Sequence, residues 1–200
     1  DTHSCSTSYI VYQLIEALAG TDAIDQAMAE ALYVGIMTDT GNFSFSNLTS
    51  DLFRAVAVLI DRGVNVPYVN SSVYDNFSEG RMRLLGYMLN DKMVTDYRYG
   101  VAYVSLTEEE MRRFNFIQGD SEGFVNYPLS IRGIRMSAMF IQTKHSIRVS
   151  LRSRGSDVDV NVFARRYFDG GGHRNAAGGK SYVSMDETLK NFHTYLKEYF

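Results

Sequence analysis

The chain has 200 residues, enough for one large domain or two small ones. Hydrophobic residues make up 45% and charged residues 22%, which excludes a disordered chain, a collagen-like repeat and a disulfide scaffold. The single cysteine, Cys5, excludes an internal disulfide, and no apolar run approaches the ~20 residues of a membrane-spanning helix. We therefore expect a cytoplasmic protein without a membrane partner.

The formal net charge of −3 averages over two regions of opposite sign. Residues 131–174 hold nine basic and three acidic side chains, a net charge of +6 that leaves −9 on the rest of the chain. A basic region on an acidic body is typical of a surface that binds an anion, but a solvated arginine-rich hairpin has the same composition. Charge alone leaves both interpretations open.

Residues 1–90 are predicted to be mainly helical around one strand. The run Ala31–Met37 is apolar without interruption, which is typical of a strand buried on both faces of a parallel sheet. Because one strand does not make a sheet, either its partners lie outside these residues or the segment is not a strand. Capping residues, amphipathic spacing and terminal glycines predict helices over 6–20, 23–30, 49–63, 67–77 and 79–90.

Residues 92–200 are predicted to form an α+β module with a mixed or antiparallel sheet. Alternating apolar and polar residues indicate hairpins over 92–106 and 134–152, and a last strand over 180–184. A capping box at Thr107–Glu110 begins a short helix. Two more helices are expected over 158–167 and 186–199.

Asp39 follows the predicted strand, in the polar segment Thr38–Asn42. Ligands bind at the carboxyl ends of strands in open α/β sheets, and carboxylate oxygens are ligands that Mg²⁺ and Mn²⁺ prefer. An Asx turn or a helix cap would place an aspartate in the same loop. Asp39 is therefore a candidate metal ligand, with a purely structural role as the alternative.

A more specific pattern is the run Gly170, Gly171, Gly172, His173. Successive glycines let the backbone approach a ligand and present N–H groups to an anion, and the histidine is able to donate a hydrogen bond to a phosphate. Ala176 and Ala177 are small enough to let the start of a helix pack close behind this loop. The order of residues matches neither a Walker loop nor a dinucleotide-binding fingerprint.

A third pattern is the segment Ser150–Arg154. In a strand, Arg152 and Arg154 point to one face together with Ser150. Two neighbouring guanidiniums fit a phosphate or a carboxylate, although paired arginines also occur on solvated surfaces.

Together these motifs resemble the DHH phosphoesterase family. The run from Gly170 to Gly178 is similar to the signature of its DHH-associated domain, and the strand Ser150–Arg154 lies upstream at the spacing of that family. Gly35–Phe43 resembles the fourth motif of the DHH domain, and Phe124–Ile131 resembles a stretch typical of bacterial nano-RNases that also act on 3′-phosphoadenosine 5′-phosphate.

The resemblance implies an α/β protein in two parts. Residues 1–77 would be the C-terminal part of a DHH domain with a parallel sheet and helices, 78–91 a linker helix that hinges the parts, and 92–200 a smaller α+β DHH-associated domain. The family's N-terminal Asp-x-Asp motif, a further Asp and the Asp-His-His triplet are not found, and Asp1–His3 is not that triplet. We therefore expect the C-terminal two thirds of the family protein, inactive by itself, with the partners of the predicted strand upstream.

The resemblance also implies a function and a site. Two Mn²⁺ (or Mg²⁺) ions, with Asp39 as one ligand, would hydrolyse a phosphoester of short RNA or of 3′-phosphoadenosine 5′-phosphate. Arg152, Ser153, Arg154, the glycine run and His173 would bind this substrate, with His173 also catalytic, and the DHH domain would form a homodimer. The alternatives are a linear or cyclic dinucleotide phosphodiesterase, an exopolyphosphatase, and a nucleotide-binding module without catalysis.

Overall fold

The computed structural model describes residues 4–44 and 48–200. The chain divides into two units, the first ending at Asn76 and the second beginning at Phe77. No helix in the described residues is long and apolar enough to cross a membrane.

The described part of the first unit is helical. Each of its four helices begins at a side chain that accepts a hydrogen bond from a backbone N–H of the first turn, which satisfies a donor that the helix itself leaves free. The capping residues are Ser6, Asp25, Thr49 and Asn65. The helices are α1 (Thr7–Ala19), α2 (Gln26–Asp39), α3 (Ser50–Asp61) and α4 (Val66–Tyr74).

The strand predicted over Ala31–Met37 is wrong, because these residues lie within α2. An apolar run of this length does not distinguish a buried strand from a buried helix. The buried positions of α2 recur at helical spacing, and a Cβ at Gly35 would lie 1.9 Å from Ser8 Oγ of α1, so the two helices pack closely there. Asp39 is consequently the last residue of a helix and does not follow a strand.

The second unit is built on one mixed sheet, as predicted. Its strand order is β1-β2-β3-β4-β6-β5, where β2 and β3 are parallel and all other neighbours are antiparallel. The strands are β1 (Val94–Asp96), β2 (Val101–Leu106), β3 (Met136–Gln142), β4 (Ile147–Ser153), β5 (Gly171–His173) and β6 (Ala176–Ser181). The helices are α5 (Glu79–Tyr87), α6 (Glu108–Arg113), α7 (Val160–Tyr167) and α8 (Met185–Tyr199).

The two faces of this sheet are covered differently. On one face, α7 and α8 bury Phe163 and Phe192 against Phe140 and Leu151. On the other face, α5, α6 and the 3₁₀ segment Phe124–Ser130 cover β2 and β3. This difference follows from the strand sequences: β3 is apolar along both faces, whereas β4 alternates buried and accessible residues. The second face is therefore open over β4 and β6.

The glycine run does not precede a helix. Gly171–His173 is a short strand that pairs with β6, and Ala176 and Ala177 lie in β6, which begins four residues before the strand predicted over 180–184. Glycine and alanine are poor strand formers, so the sequence pattern hid this hairpin. Close packing explains their use: a Cβ at Gly170 would lie 2.0 Å from the carbonyl oxygen of Gly178.

The segment expected as a linker helix packs into the second unit. Leu84 and Leu85 of α5, with Met88 of the π turn that follows, are buried against Leu106 and Phe124. The described helix α5 is thus part of the core beneath the sheet.

Candidate functional site

The uncovered part of the sheet carries three basic side chains. Arg148, Ser150 and Arg152 alternate with buried residues along β4 and reach the accessible face. Their register partners on β6 are Lys180, Gly178 and Ala176. We call this surface the open face and define it by these six residues.

The open face has one sign of charge. β4, β5 and β6 contain no aspartate or glutamate, and among the described residues none of the three cations of the open face forms an ion pair. Between the cations, Ser150, Ala176 and Gly178 are small, so a ligand is able to lie close to the strands. The arrangement fits an extended or multiply charged anion.

Arg152 is the most buried cation of the open face. Its side chain is half-buried, and this burial lowers the pKa of the guanidinium from its ordinary value. Nη1 donates a 2.9 Å hydrogen bond to the carbonyl of Leu151. A desolvated guanidinium without a carboxylate partner is stabilised when an anion binds, because the anion replaces the lost hydration with a direct charge contact.

Ser153, in contrast, lies on the opposite face of β4. Its hydroxyl is buried, donates a 2.9 Å hydrogen bond to the carbonyl of Val158, and lies 3.1 Å from Asn175 Oδ1. These contacts tie the loop after β4 to the turn between β5 and β6. They place Ser153 where it positions the hairpin and not on the surface with Arg152.

Arg154 follows the last residue of β4. Its backbone N–H donates to the carbonyl of Arg135 at 3.0 Å, and its side chain is exposed. Arg174, in the turn of the β5–β6 hairpin, is also exposed and donates to the carbonyl of Ser156. Both guanidiniums therefore belong to the segments that border Arg152.

His173 joins the same row of residues through the sheet register. It pairs with Ala176, and Ala176 pairs with Arg152. The imidazole is exposed and makes no side-chain hydrogen bond within the described part of the chain. The row therefore brings together two of the residue types that the sequence singled out, an imidazole and a guanidinium.

The glycines contribute mainly to the shape of this hairpin. Gly170 and Gly172 leave no space for a Cβ, since the nearest backbone atoms would lie at 2.0 and 2.5 Å, whereas a Cβ at Gly171 would meet only side-chain atoms at 3.5 Å or more. The N–H of Gly172 donates a 3.0 Å hydrogen bond to Asn161 Oδ1. That N–H is therefore already used, and the expectation that all three glycines present free donors to an anion is corrected for Gly172.

Asp39 lies in the first unit. Its carboxylate is exposed, and Oδ2 accepts a 2.8 Å hydrogen bond from Ser6 Oγ. A carboxylate at a helix C-terminus faces the negative end of the helix dipole, so a cation at Oδ1 would offset an unfavourable position. However, residues 4–44 and 48–200 contain no group of three His, Cys, Asp or Glu side chains able to hold a metal ion. The described residues thus supply the Asp39 carboxylate but no group of three ligands around it.

The sequence interpretation did not assign Arg148 and Lys180 to the site. Both were visible in the sequence, but only the pairing of β4 with β6 places them side by side. The alternation in Ile147–Ser153, with arginine or serine at every second position, was the signal that could have identified the open face.

Comparison with known proteins gives one family and several relatives. The DHHA1 domain family matches residues 96–200. The chain is 28% identical, over its full length and 63% of the relative, to the bifunctional oligoribonuclease and PAP phosphatase NrnA of Bacillus subtilis. It is 29% identical to the NrnA of Thermus thermophilus, over 89% of the chain and 52% of the relative. The chain thus spans about half to three fifths of the length of such relatives.

Two solved structures resemble the fold. An exopolyphosphatase-related protein of Bacteroides fragilis superposes with a TM-score of 0.95 at 38% identity, over 99% of this chain and 58% of the other. A pGpG-specific phosphodiesterase of Vibrio cholerae superposes with a TM-score of 0.51 at 13% identity, over 93% of this chain and 66% of the other, a likeness of fold alone.

These findings confirm the resemblance drawn from the motifs and the mixed α/β fold class. The family match covers more than half of the chain and contains nearly all of the sheet, including the open face and the glycine hairpin. The chain therefore belongs to the DHHA1 domain family, among relatives of the DHH phosphoesterase type.

Proposed function

We propose that this chain carries the substrate-binding surface of a phosphoesterase that hydrolyses short oligoribonucleotides and 3′-phosphoadenosine 5′-phosphate. The observation that carries the proposal is the half-buried Arg152, which forms no ion pair within residues 4–44 and 48–200 and lies at one end of an open face without acidic residues. The similarity to the oligoribonuclease and PAP phosphatase NrnA of two bacteria supports the substrate class.

In this proposal, Arg152 and Arg154 bind a phosphate group of the substrate. Guanidinium groups bind phosphate oxygens through two parallel hydrogen bonds, and these bonds strengthen where water is partly excluded. His173 donates a hydrogen bond to the same phosphate from β5, which β6 separates from the strand of Arg152. Ser153 acts indirectly, because its buried hydroxyl holds the turn that leads out of His173.

Hydrolysis requires groups beyond those described here. We propose Asp39 as one ligand of a divalent-metal centre, with two Mn²⁺ or Mg²⁺ ions in the complete protein. Such ions supply an activated water when bound. Because the described residues offer one carboxylate, we expect the 200-residue chain alone to bind Mn²⁺ weakly and to be inactive.

The proposal includes a homodimer formed through the first unit. Val11, Leu14 and Leu18 lie on one side of α1 with 40, 56 and 78% of their surface exposed. A contiguous apolar stripe of this kind is typical of a surface that another chain or segment covers. Light scattering of the full-length protein, compared with the Leu14→Glu variant, tests this part: a monomer in both cases contradicts it.

Inorganic polyphosphate is the second candidate substrate. The similarity to an exopolyphosphatase-related protein favours it, and so does the open face, whose cations require phosphates but not bases. Removing the bases from a substrate separates the two candidates. Equal turnover of abasic and base-containing substrates by the full-length protein would favour inorganic polyphosphate as the substrate.

The principal test is turnover by the full-length protein with Mn²⁺. Mononucleotide release from oligoadenylates of two to five residues, and phosphate release from 3′-phosphoadenosine 5′-phosphate, are measured for wild type, His173→Ala and Arg166→Gln. Arg166 is a matched control because it is exposed on α7, on the covered side of the sheet. We expect His173→Ala to lose activity and Arg166→Gln to retain it. No release from any substrate by the wild type would refute the proposal.

A further inference from the structure

The second unit contains a cleft that the proposed site does not use. Its volume is about 440 Å³, within the range of about 300–1,000 Å³ that small-molecule sites occupy. Its wall is formed by α6 and the segment that follows it, and its floor by the ends of β3 and β4. Phe116, Met111 and Ile141 make the lining largely apolar, while Gln118, Gln142 and Arg148 add polar groups.

The cleft is continuous with the open face. Arg148 belongs to both, and Ile141, its register partner on β3, lines the cleft on the same side of the sheet. Arg152 lies four positions after Arg148 along β4, a distance of about 13 Å at the usual rise of a strand. Ser150 and Gly178 lie between them and leave the strands accessible.

This spacing matches the dimensions of a short nucleic acid strand. Stacked nucleotides advance by about 3.4 Å each, so 13 Å spans about four of them, and fewer when the strand is extended. A strand held by its terminal phosphate at Arg152 would therefore present its third or fourth nucleotide to the cleft.

The lining suits a nucleobase. Phe116 is half-buried and offers an aromatic ring on which a base is able to stack, an interaction that tolerates any base. The amide of Gln142 accepts from the backbone N–H of Glu108, which leaves its NH₂ group for the edge of a base. Arg148, which donates a 3.0 Å hydrogen bond to Ser121, supplies the charge for the adjoining phosphate.

The wall of the cleft is held by a buried arginine that the proposed reaction does not use. Arg81 of α5 is 9% exposed and stacks between the rings of Phe77 and Phe124, at 4.1 and 4.9 Å. Its guanidinium donates to three carbonyls, those of Gly119, Asp120 and Glu122. The segment that contributes Gln118 to the cleft and Ser121 to the contact with Arg148 is thus held in place before a ligand binds.

We propose that this cleft is a subsite for the base of a distal nucleotide, so that it sets which oligonucleotide lengths bind well. The inference rests on the proposed function and deepens it. The occupant is a nucleoside of the same strand whose terminal phosphate lies at Arg152. Arg81 is a positioning residue for this subsite.

The test measures binding and not turnover. Calorimetry without divalent metal gives the dissociation constants of unlabelled 5′-phosphorylated oligoadenylates of two to five nucleotides for the full-length protein. Each length is repeated with an abasic residue at one position after another. The variants are Phe116→Leu, which keeps an apolar side chain but removes the ring, and Phe116→Tyr, which keeps the ring. Circular dichroism melts check that both fold.

We expect wild-type affinity to rise about five- to tenfold at the length whose nucleotide reaches the cleft, the lower end of the range for base–aromatic stacking. An abasic residue at that position removes the rise. Phe116→Leu should show no such rise, and an abasic residue at that position should not change its affinity. Its affinity for the dinucleotide should equal that of the wild type. Phe116→Tyr should retain the rise.

Two results would overturn the inference alone. One is dinucleotide binding without a rise in affinity at any length, and the other is a Phe116→Leu effect that is equal at every length. Wild-type protein that binds no oligonucleotide, the dinucleotide included, would overturn the proposed function as well.

Discussion

Replacing Arg152 separates its role in binding from any role in folding. The guanidinium is half-buried, its pKa is lowered by burial, and its one side-chain hydrogen bond goes to the carbonyl of Leu151. Folding therefore desolvates a charge without providing a carboxylate. Arg152→Gln removes this unfavourable contribution, so we expect the free energy of unfolding to stay within about 1 kcal/mol of the wild type or to rise.

Binding should respond in the opposite direction. A hydrogen bond between a charged donor and a phosphate contributes about 1.5–3 kcal/mol, so Arg152→Gln should weaken 3′-phosphoadenosine 5′-phosphate binding by about 10- to 150-fold. Arg152→Lys keeps the charge but loses the planar guanidinium with its two parallel donors. Its affinity should therefore lie between those of the wild type and Arg152→Gln. Calorimetry of the full-length protein gives the affinities, and urea denaturation gives the free energies of unfolding.

The reasoning would be refuted by a variant that loses several kcal/mol of stability while its affinity for the phosphate stays unchanged. That pattern would mean that Arg152 is a structural residue. Arg166→Gln serves as the matched control, since its guanidinium lies 3.9 Å from Glu198 in an exposed pair that contributes little. We expect the control to change neither quantity.

Four further predictions concern positions outside the open face. Asp39→Ala should abolish turnover by the full-length protein while leaving substrate affinity within about twofold, and retained turnover would contradict the metal-ligand assignment. Ser153→Ala removes a buried hydrogen bond and should lower the free energy of unfolding by about 1–3 kcal/mol, measured in urea. Gly170→Ala should destabilise by more than about 2 kcal/mol, because its Cβ would meet backbone at 2.0 Å, whereas Gly171→Ala should be tolerated; equal melting temperatures would contradict this contrast. Burial by itself raises the pKa of Glu110, but hydrogen bonds from a lysine, the helix cap and a tyrosine outweigh it and lower the pKa to about 2. The ionised Glu110 therefore stabilises the fold above pH 4.5, its unfolded pKa, and this contribution is lost as the pH falls toward 2. Between these pH values, the free energy of unfolding of Glu110→Gln should decrease by up to about 3 kcal/mol less than that of the wild type.

Local signals predicted most of the elements correctly. Ser6, Thr49 and the capping box at Thr107–Glu110 begin helices where the sequence placed them, because a cap depends on a side chain and a backbone N–H only a few residues apart. The hairpin of β3 and β4 was equally visible from its alternation and its turn. These interactions are short in sequence, so the sequence contains them completely.

The wrong strand prediction over Ala31–Met37 and the missed hairpin of β5 and β6 have a common cause. Ala31–Met37 is apolar at every position, so its sequence fits a buried strand and a buried helix equally well until its packing neighbours are known. The alanines of β6 lack strand propensity and are held in a strand only by pairing with β4 and β5. In both cases, contacts distant in sequence decided the conformation.

The sequence by itself determined the family, the basic character of residues 131–174 and the identity of Arg152, Arg154, His173 and Asp39 as candidates, because motifs and charges are local properties of the chain. The tertiary structure decided which of them share a surface. Sheet register aligns His173, Ala176 and Arg152 in one row across three strands, pairs Lys180 with Arg148, and turns Ser153 to the opposite face. Register depends on pairing between strands far apart in sequence, and a shift of one residue exchanges the two faces, so only the folded sheet fixes the site.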